Sequence, residues 1–251
     1  MVDATPNVPR LLEWDSEFFG LRIASLSALA LGEGAWRSAL DWAGKERIDC
    51  LYLLSESDDS TSRRLFEHSG AALVDLRVTL ARDTGPMFKV KPCSATLRAA
   101  NANDVSALRA IASRAHTDSR FYSDGRFARE RCDELYATWI ERSVRGWARS
   151  VLVAELDGAL AGYVTLHARP DGDAEIGLIA VTESARGKGV GRFLVESALL
   201  MANAFGLAHT SVVTQGSSVA AQRLYQSAGF RTTRVQLWHH LWFEKQAPTR
   251  A

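Results

Sequence analysis

Cysteine is scarce in this chain. Cys50, Cys93 and Cys132 are the three present, odd in number and far apart. That excludes a disulfide framework and leaves no metal-ligand spacing, so no metal is expected and a reducing cytoplasm is the expected compartment. Long apolar runs are also missing: none approaches the roughly 20 residues that span a bilayer. Residues 1–10 carry no apolar stretch of the kind a secretory signal needs. Nor is there an excess of charge of one sign. Thirty Lys and Arg stand against 29 Asp and Glu, a net charge of +1, so neither a nucleic acid nor an anionic membrane is an expected partner. What is present is length and apolar content. The chain has 251 residues, 47% of them hydrophobic, enough for a substantial core in one or two domains.

The most informative stretch is Arg186-Gly187-Lys188-Gly189-Val190-Gly191-Arg192. Apolar spacing predicts a strand over 175–181 before it and a helix over 193–205 after it. A glycine turn opening a helix gathers backbone N–H groups at the positive end of the helix dipole, which suits a phosphate. A Walker loop is excluded because no Ser or Thr follows Lys188. A dinucleotide fingerprint is excluded because Arg192 stands where the third glycine belongs. What remains is Arg-x-x-Gly-x-Gly. It points to a pyrophosphate-bearing ligand, and a tight turn with no ligand also fits the loop taken alone.

Downstream, residues 217–229 read as a helix, with Ser217 or Ser218 to cap its start and Gly229 suited to the left-handed residue after its end. Tyr225 follows Gly191 by 34 residues, within Ala221-x-x-x-Tyr225-x-x-x-Gly229-Phe230. The two motifs together resemble the GCN5-related N-acetyltransferase (GNAT) superfamily over residues 94–245. The resemblance implies an α/β GNAT fold with a central mixed, mostly antiparallel sheet flanked by helices. It implies acetyl-CoA as co-substrate, its pyrophosphate on Arg186, Gly187, Lys188, Gly189, Val190, Gly191 and Arg192. It implies that backbone groups of Ile179, Ala180 and Val181 pair with the pantetheine arm, and that Tyr225 protonates the departing thiolate. Many members carry Asn where this chain has Ser218, a shorter donor and acceptor toward the CoA arm.

Other strands are predicted by alternation and turn chemistry: 96–100 before a capped helix, a hairpin of 150–155 and 161–167 about Asp157-Gly158, then 210–214 and 232–243. On the last strand His239 and His240 face opposite ways, which argues against a shared metal.

The first ninety residues hold a faint repeat. Moving residues 35–80 forward by 159 places sets them on 194–239 without a gap, bringing Arg64-Leu65-Phe66 onto Arg223-Leu224-Tyr225 and Gly70 onto Gly229. Phe66 has no ionisable hydroxyl, and no Arg-x-x-Gly-x-Gly precedes Ala35. The expectation is a smaller, degenerate GNAT-like αβ domain over 1–90, structural or acceptor-side, before a catalytic domain over 91–251. The segment from Gly85-Pro86 to Lys91-Pro92 is the expected linker.

Acyl transfer requires a base for the amine, donors for the oxyanion and an acid for the thiolate. Glu175 is the candidate base, acting through water, and a solvated strand-end glutamate fits it equally. Cys132 has no evident activating partner, which favours direct transfer over a covalent intermediate.

Residues 12–20 and 119–146 resemble the dTDP-fucosamine acetyltransferases within this superfamily. That closer resemblance implies a nucleotide-sugar acceptor, the 4-amino group of a dTDP-4-amino-4,6-dideoxygalactose-like compound. Residues 109–149 hold nine arginines interleaved with six aromatics, suited to a diphosphate and a base. Tyr122 and Arg126, near Gly125, are the acceptor-site candidates. Another small amine, or a non-catalytic acyl-CoA sensor, stays open, as does a homodimer.

Overall fold

Glycines and strand alternation set the boundaries seen in the computed structural model, which describes residues 5–85 and 90–244. In chain order the elements are β1 (Arg10–Leu11), α1 (Glu13–Phe19), β2 (Ile23–Ser27), α2 (Glu33–Lys45), β3 (Cys50–Glu56), α3 (Ser60–His68) and β4 (Ala72–Asp83). There follow β5 (Thr96–Ala99), α4 (Val105–Ala115), α5 (Arg120–Asp124), α6 (Arg129–Arg142), β6 (Ser150–Leu156) and β7 (Ala159–Ala168). The chain continues with β8 (Ala174–Val181), α7 (Val190–Ala204), β9 (His209–Gln215), α8 (Val219–Ser227) and β10 (Arg231–Trp242). Residues 86–89 of the expected linker, and residues 1–4 of the stretch read for a signal, lie outside the described residues.

The chain forms two compact units. One comprises Met1–Arg77, Ser123–Phe127 and Val235–Ala251; the other comprises Val78–Tyr122 and Ala128–Arg234. This grouping differs from a division at residue 90. The reason lies in β4 and β10, each 12 residues long and unbroken. Each has its first part in one unit and its second part in the other.

Within the second unit the strand order runs β9-β8-β7-β6-β5. β8 is antiparallel to β7 and parallel to β9, so this sheet is mixed and mostly antiparallel. The β6–β7 hairpin turns on Asp157 and Gly158, both at positive φ (53° and 77°), the backbone that a two-residue primed turn requires. Helix α7 lays Leu194, Val195, Ala198, Leu199 and Ala202 into the core. Their i, i+4 and i, i+3 spacing forms one continuous apolar stripe. Before α4, Asn101 and Asp104 form a capping box, and Asp104 also takes two hydrogen bonds from Arg98.

Within the first unit β1 pairs antiparallel with β2, β2 parallel with β3, and β3 antiparallel with β10. Leu26, Leu31, Leu51, Leu53 and Phe66 centre its core. From Gln236 onward both faces of β10 are largely buried, rather than the single face that alternation suggests. His239 lies against Phe66 and His240 stacks on Tyr52.

The 159-residue shift carries β3 onto β9, α3 onto α8 and β4 onto β10 with coincident bounds, and the end of α2 onto the end of α7.

Candidate active site

The loop of interest begins after a short 3-10 turn, Glu183–Ala185, that ends β8's exit. Gly187 and Gly189 then adopt φ of 75° and 82°, backbone that a side chain would strain. Because Gly189 makes the reversal as N-cap, α7 starts at Val190, three residues before the start expected from its apolar pattern. Val190, Gly191 and Arg192 therefore form the first turn, whose N–H groups have no intrahelical acceptor. Gly191 packs tightly: a Cβ there would lie 3.3 Å from Leu224 and 3.5 Å from Val181. Arg186, Gly187, Lys188 and Gly189 are exposed. Arg192 turns inward, its Nε donating to the buried Glu196 at 2.6 Å. The backbone N–H of Lys91 donates to the other oxygen of that carboxylate at 2.7 Å.

β8 pairs with β9 from Ala174–Thr210 to Ile176–Val212 and no further. Ile179, Ala180 and Val181 remain paired with β7, so the edge of this half of β8 that faces β9 is open. Glu175 sits in the paired half. It lies across from His167 on β7 and 3.6 Å from Arg169. At about 3.4 Å per residue, it stands about 14 Å along the strand from Ile179.

Tyr225 lies on α8, buried, its ring 5.8 Å from that of Phe230. Burial, and secondarily the charge of Asp118, push its phenol above the ordinary tyrosine value. Ser218 is the N-cap residue of α8 and makes no side-chain cap.

A cluster that the sequence does not announce lies beyond the end of α4. His116 Nε2 is 3.1 Å from the hydroxyl of the fully buried Tyr163, and its ring stacks on Tyr136 at 4.7 Å. Burial pulls His116 down to about 4, against the opposing charge of Asp118. Asp118 thus acts on both His116 and Tyr225. Tyr163 stands across from Ala180 on the open half of β8. These residues come from separate elements with no shared spacing, so only a search for polar residues near strand centres would single out Tyr163.

Of the acceptor candidates, Tyr122 belongs to the second unit and Arg126 to the first. Tyr122 donates to Asp133 at 2.6 Å. Burial and then that bond raise its phenol. Arg126 is exposed, 5.5 Å over the ring of Trp242. Most neighbouring arginines have partners within the chain. Arg109 holds Glu134 and Glu141, and Arg145 holds Glu141. Arg120, Arg129, Arg142 and Arg149 lie over aromatic rings.

A mixed sheet opened between two parallel strands thus lies beside a glycine loop that starts a helix. The chain belongs to the acetyltransferase (GNAT) family, whose model matches residues 108–230. It is 30% identical to a dTDP-fucosamine acetyltransferase of Escherichia coli O6:H1, over 90% of this chain and 95% of that one. It is 26% identical to the spore coat polysaccharide biosynthesis protein SpsD of Bacillus subtilis, over 65% of this chain and 54% of that one. Among solved structures, a GCN5-related N-acetyltransferase from Sphaerobacter thermophilus matches 93% of this chain and 76% of its own with a TM-score of 0.68 at 16% identity. A tandem GNAT protein from the clavulanic acid biosynthesis pathway matches 91% of this chain and 77% of its own, with a TM-score of 0.60 at 14% identity. The α/β GNAT fold and the acetyltransferase class are therefore as the motifs imply. No described helix is long and apolar enough to cross a membrane.

Proposed function

We propose that this acetyltransferase moves an acetyl group from acetyl-CoA to the 4-amino group of a nucleotide-linked amino-dideoxy sugar, of the dTDP-4-amino-4,6-dideoxygalactose kind. The observation that carries the transfer is the open half of β8 beside the Arg186–Gly191 loop. The observation that favours the acceptor is the 30% identity to a dTDP-fucosamine acetyltransferase across 95% of its length.

In this reading the amides of the loop and of the first turn of α7 hold the pyrophosphate, with Arg186 and Lys188 adding charge. Arg192 acts through its backbone, because its side chain is committed to Glu196. Ile179, Ala180 and Val181 offer backbone groups to the pantetheine arm, and one N–H steadies the oxyanion. Ser218, at the head of α8, reaches the same arm through water. The amine loses a proton to water ordered by Glu175. Its nitrogen then bonds the acyl carbon, the carbon–sulfur bond breaks, and Tyr225 gives its proton to the thiolate. A phenol held neutral by burial is suited to that donation. Tyr122 and Arg126 are the proposed acceptor contacts. We infer further that residues 1–90 are a degenerate copy of the catalytic fold. Its β2 is paired with β3 along all five residues, leaving no opening of the kind β8 has.

The experiment is thiol release from acetyl-CoA with dTDP-4-amino-4,6-dideoxygalactose, its gluco epimer and simple amines. Selective turnover of the galacto compound is expected. Turnover of simple amines alone removes the nucleotide sugar, and CoA binding without turnover removes catalysis.

A further inference from the structure

The pairing of β7 with β8 is interrupted at one place. Val164 faces Ile179, and two residues along β7 Leu166 faces Ile176. One residue of β7, Thr165, therefore stands against two of β8, Gly177 and Leu178. That is a β-bulge, which bends and over-twists the strand that carries the extra residue. It begins immediately after Ile176, the last residue of β8 paired with β9.

A bulge removes an N–H from the ladder, and here a side chain takes it. The Leu178 N–H donates to Thr165 Oγ1 at 2.8 Å. Thr165 is fully buried and Leu178 nearly so, so water does not compete for the bond. The hydroxyl is also 3.3 Å from His167 Nε2, and the His167 ring hydrogen-bonds the backbone of Trp147. With Nε2 as acceptor, the threonine hydroxyl donates to His167 while receiving from Leu178. Gly177 completes the fit. A Cβ there would lie 2.6 Å from His167 Nε2 and 3.0 Å from Thr165 Oγ1.

We propose that Thr165 is a positioning residue for acetyl transfer: its hydroxyl holds the Gly177–Leu178 bulge, and the bulge turns Ile179–Val181 away from β9 to open the acyl-CoA cleft. This rests on the acetyltransferase reading above. Without the hydroxyl, Leu178 regains a partner by slipping one place into a regular ladder. A one-residue slip moves Ile179 and Val181 to the opposite face of the sheet.

The test compares Thr165→Val, which keeps the shape and loses the acceptor, with Thr165→Ser, which keeps the hydroxyl. CoA binding is measured by calorimetry, and kcat and KM for acetyl-CoA by thiol release with dTDP-4-amino-4,6-dideoxygalactose. A displacement of the reacting groups near 1 Å costs about 100-fold in rate, and a loss of that order in kcat/KM is expected for Thr165→Val. Weaker CoA binding is expected with it, and Thr165→Ser should recover most of both. A merely structural threonine would lower the unfolding midpoint while leaving CoA affinity and KM at wild-type values, and that result overturns the proposal. If Thr165→Val does not fold, Gly177→Ala carries the test from the other strand, with the same loss of CoA affinity expected and unchanged affinity overturning it. A wild-type protein that binds no CoA would remove the acetyltransferase mechanism itself. Normal wild-type binding that neither variant alters removes only the role of Thr165.

Discussion

Arg77 on β4 donates through Nη1 to the side-chain oxygen of Gln236 on β10 at 2.8 Å, and the two residues are 159 positions apart. That separation is the shift that carries β4 onto β10, so matching positions of the two strands bond each other. Gln236, 4% exposed, also donates through Nε2 to Glu56 at 2.8 Å. One amide thus serves a cation and an anion. Replacing it in Gln236→Leu removes the acceptor of one and the donor of the other. A loss of about 1–3 kcal/mol is expected, the net contribution of hydrogen bonds to charged groups. Urea unfolding checks this, and an unchanged midpoint would show that both charges find other partners.

A second prediction concerns Gly162 on β7. A Cβ there would come within 2.5 Å of the Ala180 carbonyl oxygen and 3.1 Å of Leu194. Backbone cannot yield as a flexible side chain does, so Gly162→Ala is expected to cost about 1–3 kcal/mol through overpacking. Gly44, on the exposed face of helix α2, meets nothing within 4 Å. Gly44→Ala is therefore expected to stabilise by about 0.5 kcal/mol, through helix propensity and a less free unfolded chain. Opposite signs in thermal unfolding are the expected outcome.

Tyr225→Phe isolates a single oxygen atom. The ring is buried against Phe230, and phenylalanine keeps that packing. If Tyr225 supplies the leaving-group proton, kcat falls by about 100-fold, within the range for a lost general acid, while CoA affinity changes little. Single-turnover measurement of thiol formation is the check, and a wild-type rate in the variant excludes the assignment.

The pH dependence of stability follows from the histidines. Burial brings His116 to about 4 and lowers His239 as well. A histidine whose folded value lies below its unfolded value, about 6.5, binds its proton more readily when unfolded. Its full contribution is therefore present above about pH 6.5, and stability is lost as pH falls from there toward the folded value. Urea midpoints at about pH 7.5 and about pH 5 should differ, and less so in His116→Phe. An equal drop in both proteins would assign the effect to other groups.

The glycine loop and the helix of Tyr225 are legible in the amino-acid sequence because their chemistry is local. Positive φ calls for glycine at 187 and 189, and an apolar stripe along α7 marks the helix that the loop begins. The β6–β7 hairpin is legible for the same reason, through Asp157-Gly158. The repeat is legible only as a register. Its clearest signs, Phe66 against Tyr225 and Gly70 against Gly229, are single residues within stretches of low identity.

The tertiary structure alone decides the rest. Gly177 inside an apolar strand is a sign of a bulge or of a close approach, but the partner Thr165 is not legible, since register belongs to two strands and not to either. The opening of β8 from β9 follows from that register. The approach of His116 to Tyr163 joins residues 47 apart, and the pairing of Arg109, Arg129 and Arg149 depends on carboxylates and rings from other elements. Local conformational preference is written in neighbouring residues, and it suffices for turns, caps and the family motif. Cleft geometry depends on which distant groups satisfy each buried N–H, and only the folded chain makes that choice.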